Sequence, residues 1–120
     1  MNATDMKTLT ATKDRLITGM QEYLAEGADA GYTEADIKKC DKILLAFTDS
    51  LQKLGSAAAG PVILECVKRA VLELNALNDS VGGGLIETDQ REDLCEYIMF
   101  AAKHAGLEKD GDVTEEWREW

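Results

Sequence analysis

The chain has 120 residues, 45% apolar and 30% charged, a mixture that suits one folded domain and excludes a disordered polymer. Its net charge of −10 repels phosphate backbones and argues against nucleic-acid binding. No apolar run nears the roughly 20 residues of a membrane span, so no membrane partner is expected.

The chain order reads as four helices. The first spans about Thr4 to Glu26, with Met6, Leu9, Leu16, Met20, Tyr23 and Leu24 on one stripe. Its first residues, MNATDMKTLTATKDR, carry Asp5 and Asp14 and no apolar signal core, which points to a cytoplasmic protein. In EGADAGY, Gly27 and Gly31 can take the left-handed conformation that stops a helix. The second helix opens at YTEADI, where Thr33 can cap, Asp36 takes the capping-box position and Tyr32 can staple onto Ile37. Ile37, Cys40, Leu44, Phe47, Leu51 and Leu54 then form a heptad seam, and Gly55 ends it.

After GSAAAGP, Pro61 suits a first helical turn because its missing N–H has no partner there. The third helix runs to Asn78 with Ile63, Val67, Ala70, Val71, Leu74 and Leu77 inward. Its β-branched content would also suit a strand, but its length and three-and-four repeat favour helix. The fourth spans about Thr88 to Ala105, with Leu94, Ile98, Ala101 and Ala105 inward and Gly106 as the stop. A turn at Lys109–Asp112 leads to a short C-terminal helical turn carrying Trp117 and Trp120. The predicted fold is a single all-α domain over residues 1–120, an antiparallel four-helix bundle, because short connections favour antiparallel neighbours.

VGGGLIETDQREDLCEYI, residues 81–98, raises the possibility of a phosphate loop at a helix N-terminus. It lacks the lysine and hydroxyl of a nucleotide loop, and a helix rather than a strand precedes its glycines. Glu87, Asp89, Glu92 and Asp93 crowd that helix end and would repel an anion. The glycines therefore read as a hinge ahead of a self-capped helix. Asn78 beside them is expected to help end the third helix, and Asn75 to hydrogen-bond across to a neighbouring helix.

No metal or cofactor is expected. The calcium-loop spacing is incomplete in DGDVTEE, and a di-iron bundle site needs paired Glu-x-x-His motifs where this chain has one histidine, His104. Cys40, Cys66 and Cys95 have no CxxC spacing and read as buried thiols of a reducing compartment rather than a three-thiolate metal site. Nine residues separate Cys95 from His104, which places them on opposing faces and excludes a dyad within that helix.

Residues 87–120 hold eleven acidic against four basic side chains, while residues 1–86 hold twelve against nine. This imbalance suits a basic protein partner, or only keeps the chain in solution. Glu115, Glu116, Trp117, Glu119 and Trp120 form the predicted interaction surface, since tryptophan favours interface hot spots. The competing reading is that the tail folds back and its indoles cover an open end of the bundle.

The segments LNALNDSVGGGLIETDQREDLCEYIMFAAKHAGL and DVTEEWREW resemble a group of small bacterial proteins that share an N-x-L-N segment, an I-E-T-x-x-R-E helix start and an acidic, Trp-rich ending. The resemblance covers about the last third of the chain. It implies a bacterial source and a compact helical domain, with Glu87, Thr88, Arg91 and Glu92 as the central polar cluster, and it carries no activity.

The leading expectation is a non-enzymatic acidic protein that binds another protein, by analogy with immunity or antitoxin proteins that mask basic toxins. The alternative is a small enzyme or ligand-binding protein using Glu87, Thr88, Arg91 and His104, within one chain or assembled between subunits. A third is a homodimer through the heptad face of the second helix or through the two tryptophans.

Overall fold

The computed structural model describes residues 2–26, 30–55 and 58–120. Four helices follow one another: α1 (Ala3–Ala25), α2 (Glu34–Leu54), α3 (Gly60–Ser80) and α4 (Thr88–His104). Among the described residues there is no strand. No described helix is long and apolar enough to cross a membrane.

Local signals set the helix ends. At α1, Asn2 and Asp5 exchange side-chain and backbone hydrogen bonds at 2.9 and 3.1 Å. At α2, the Asp36 carboxylate accepts from the Thr33 N–H at 2.9 Å, and Tyr32 and Ile37 are both buried. Pro61 occupies the first turn of α3, as its missing donor allows. Gly55 takes positive φ as the stop of α2, whereas Gly31, also at positive φ, lies five residues beyond Glu26, the residue that caps the end of α1. Gly27, the other expected stop of α1, lies outside the described residues.

Cross-helix pairs fix the topology. Lys13 pairs with Asp41 at 2.9 Å and Tyr32 donates to the Met20 carbonyl, so α1 and α2 run antiparallel. Asp5 faces His104 while Arg15 bridges Asp93 and Glu96, so α1 and α4 are antiparallel too. The helices form a four-helix bundle in which α1 lies mainly on α4, and α2 mainly on α3. Leu9, Leu16, Leu44, Ile63, Leu74, Leu94 and Ile98 meet in one apolar core. A buried Thr48–Tyr97 hydroxyl pair at 2.6 Å ties α2 to α4 inside it.

One expectation about these faces is corrected. Tyr23, placed on the inward stripe of α1, is 42% exposed. The heptad seam of α2 packs inside the bundle, with Ile37, Cys40, Leu44, Phe47 and Leu51 all buried.

The glycine run closes α3 in a Schellman arrangement, with Gly83 N–H donating to the Asn78 carbonyl at 2.8 Å and Gly82 N–H to the Asp79 carbonyl at 3.1 Å. Gly82 and Gly83 have φ of 74° and 83°, a region that side-chain-bearing residues rarely adopt. At Gly84 a Cβ would come within 3.3 Å of the Ala30 carbonyl oxygen, so the close approach of two loops needs glycine. Leu85 and Ile86 then turn into the core. Their N–H groups both donate to the Asn78 side-chain oxygen, at 3.1 and 3.0 Å. Asn78 thus ends α3 with its backbone and positions the start of α4 with its side chain. The run is a hinge locked in one conformation.

Although consecutive, α3 and α4 touch only sparsely. The C-terminal segment fills the space between them. Val113 to Trp117 make a single turn and the last residues have no regular structure, so Trp120 lies beyond the turn that was expected to carry it. Asn75 of α3 does not reach a neighbouring helix as predicted. Its Nδ2 donates to the Trp117 carbonyl at 2.8 Å, and its Oδ1 accepts from the Glu119 N–H at 3.1 Å. The tail offers both an unpaired carbonyl and an unpaired N–H at the spacing of one amide, which a regular helix does not.

Candidate functional site

The antiparallel contact of α1 and α4 leaves a groove of about 710 Å³ along their outer face. Asp14, Glu22 and Glu26 line it from the α1 side, and Asp89, Glu92 and Asp93 from α4. Their one basic companion, Arg15, is already engaged. Its Nε donates to Asp93 at 2.8 Å, and it also binds Glu96. Gly19 in mid-helix costs about 0.5–1 kcal/mol relative to alanine, and its missing side chain leaves the groove floor open. The half-exposed ring of Tyr23 closes one end and stacks on Tyr32, with ring centroids 6.2 Å apart. The site therefore combines a surplus of carboxylates with an aromatic edge.

Beyond Tyr23 the groove continues into a smaller pocket of about 260 Å³, lined by Tyr32, Gly84, Glu87, Thr88 and Gln90. This is the α3–α4 junction. The predicted polar cluster is divided there: Glu87 and Thr88 line the junction pocket, and Glu92 lines the main groove. Arg91 lines neither, and its charge acts instead on Cys95, one turn further along the same face of α4. Among the described residues no side-chain hydrogen bond or ion pair joins these four residues.

His104 lies at the opposite end of α4. A 17-residue helix spans about 25 Å, so His104 cannot join Glu87, Thr88 and Arg91 in one site within this chain. Its Nδ1 lies 3.3 Å from Asp5, and its ring stacks on Phe100 with centroids 4.1 Å apart. That arrangement ties the last turn of α4 to the first turn of α1. Nearby, Met99, Phe100, Leu107 and Val113 floor a second groove of about 770 Å³, with Lys103 and Lys109 on its rim.

Cys40 and Cys95 are poor nucleophiles. Burial pushes Cys40 up to about 12. Burial also raises Cys95, whose sulfur sits 3.6 Å from the Thr114 hydroxyl under the tail. Among the described residues no three His, Cys, Asp or Glu side chains gather closely enough to hold a metal ion.

The predicted tail surface is two-sided. Glu115, Glu116 and Glu119 are exposed, while Trp117 and Trp120 are half-buried against the core. The tail is shaped by a hook the sequence reading missed. Asp112 accepts from the Thr114 N–H at 2.9 Å and from Arg118 at 3.0 Å. Arg118 also donates to the Trp120 main-chain oxygen at 2.7 Å and lies over the Trp120 ring. The available signal was Asp112 three residues before Glu115, the spacing of a helix cap. Burial alone would raise the Asp112 carboxyl, but hydrogen bonds from Thr114 and the Arg118 charge outweigh it and lower the carboxyl below its ordinary 3.8.

A lowered carboxyl stabilises the folded form above its unfolded value, and that contribution is lost as the pH falls through the folded value. The tail hook should therefore hold from neutral pH down to about 3.8 and weaken in stronger acid. Tryptophan fluorescence across that range should report the release. Asp112→Asn should remove this acid step, and an unchanged acid transition in that variant would contradict the role of Asp112.

Comparison with protein-family models, curated proteins and solved structures gives no match for this chain.

Proposed function

We propose that this chain is a non-enzymatic, acidic protein-binding module of the cytoplasm, and that a basic protein docks on its α1–α4 face. The observation that carries this reading is the groove itself. Six carboxylates line it, and its one arginine is already neutralised by Asp93 and Glu96. Such a face attracts lysine- and arginine-rich surfaces over long range and sets partner choice more than raw affinity. Tyr23 supplies an apolar anchor beside the charges, as interface hot spots commonly require. An immunity- or antitoxin-like role, masking a basic toxin, fits this chemistry by analogy.

The exposed Glu115, Glu116 and Glu119 give a second acidic patch, but their tryptophans face the bundle and offer less to a partner. Capture from a lysate of the source cell, eluted with rising salt, tests the proposal. Combined Glu22→Lys, Asp89→Lys and Glu92→Lys should weaken the captured partner by about ten- to a hundredfold, at up to ~1 kcal/mol for each exposed pair lost. Reversal of the three tail glutamates should have a smaller effect. A larger loss from the tail variant would move the interface to the tail.

The alternative, a small enzyme or ligand-binding protein at the α3–α4 junction, has the Tyr32–Glu87–Thr88 pocket in its favour. Its acidic rim suits a cationic ligand rather than a phosphate. Within one chain it has no access to His104.

A further inference from the structure

The cleft between α3 and α4 already holds a peptide, the chain's own residues 113–120. We propose that this cleft is a docking groove for that segment as such, and that the segment of a second copy enters it to give dimers by reciprocal tail exchange.

Recognition in the cleft is directed at backbone. Asn75 is only 5% exposed, yet both ends of its amide are used on the tail, at the Trp117 carbonyl and the Glu119 N–H. A buried amide of this kind does not distinguish its own chain from another. The bonds that shape the tail are internal to it, since Asp112, Thr114, Arg118 and Trp120 bond among themselves. The hook therefore travels as a formed unit, which lowers the ordering cost of binding elsewhere.

The connection ahead of it is built to open. Glu108 to Gly111 are exposed and make no side-chain hydrogen bond or ion pair among the described residues. Gly111 takes φ of 83° with open space around it. Reciprocal exchange preserves every docking contact and changes only the path of this hinge, the usual route to a swapped dimer. Two chains of charge −10 repel one another, so salt should favour exchange. That is the opposite sign to the salt effect on a basic partner, so failure of one idea is distinguishable from failure of the other.

The contact between the Cys95 sulfur and the Thr114 hydroxyl, at 3.6 Å, gives a direct test. Thr114→Cys in a Cys66→Ser background should bond to Cys95 on mild oxidation. Two differently tagged copies, mixed and concentrated in high salt, should yield cross-linked dimers containing both tags, in a fraction that rises with concentration and with salt. Adding Cys95→Ser should abolish them. Intrachain bonds alone at every concentration would overturn the proposal, as would dimers that survive Cys95→Ser. The unmodified chain supplies a second measurement. Its sedimentation mass should approach twice the monomer at high concentration, and Asn75→Ala, which removes the same bonds from the closed monomer and the exchanged dimer, should speed the exchange while leaving its equilibrium nearly unchanged. A mass independent of concentration, or a foreign segment seated in the cleft of a strictly monomeric chain, would also overturn it.

Discussion

Asn78→Ala is expected to lower the stability of the fold by about 2–4 kcal/mol, because it strands two buried backbone donors at once. The Leu85 and Ile86 N–H groups both end on its side-chain oxygen, and both residues are buried. The Schellman bonds use the Asn78 backbone and survive the change. The loss thus falls on the loop that delivers Leu85 and Ile86 to the core, not on the end of α3. A fall of roughly 10 °C in Tm would match this magnitude. Asn78→Asp keeps an acceptor oxygen and should recover part of the loss, although its charge is unfavourable at the C-terminal end of a helix. If Asn78→Ala melts like the parent, the side chain does not organise the loop.

Asn75→Ala is expected to release the tail while leaving the bundle folded. Two hydrogen bonds to a partly buried segment contribute about 1–3 kcal/mol together, so the undocked population should rise by ten- to a hundredfold. Trp117 and Trp120 should then move into water, with a red shift in fluorescence. Cys95, covered by Thr114 in the docked form, should react correspondingly faster with a thiol reagent in a Cys66→Ser background. Loss of helicity along with the tail would show instead that the segment is needed to hold α3 and α4 together.

The elements legible in the sequence are those whose causes are local. The seam from Ile37 to Leu51, the Thr33–Asp36 start and the Gly106 stop depend on residues within a few turns of one another. All appear where the pattern places them. The three glycines also reverse the chain between α3 and α4 where the pattern places a turn, with Gly82 and Gly83 at positive φ. Asn75 and Asn78 stood out as polar residues at the end of an apolar helix, but their partners did not. Asn75 holds residues 42 and 44 positions away, and no periodicity announces such a contact. The same holds for the acidic groove. Asp14, Glu22 and Asp89 converge only once the register of α1 against α4 is set, by pairs such as Arg15 with Asp93. Arg91, conspicuous among acids in the sequence, points away from the groove for the same reason, since one residue along a helix changes the face it serves.

The proposed function turns on charge at the α1–α4 face. The most direct test is the Kd of the captured partner from low to high salt, measured on the parent and on the chain carrying Glu22→Lys, Asp89→Lys and Glu92→Lys. The parent should bind more weakly as salt rises, and the variant should be weaker at low salt with a flatter dependence. An affinity that is independent of salt and unmoved by the three reversals would contradict the account.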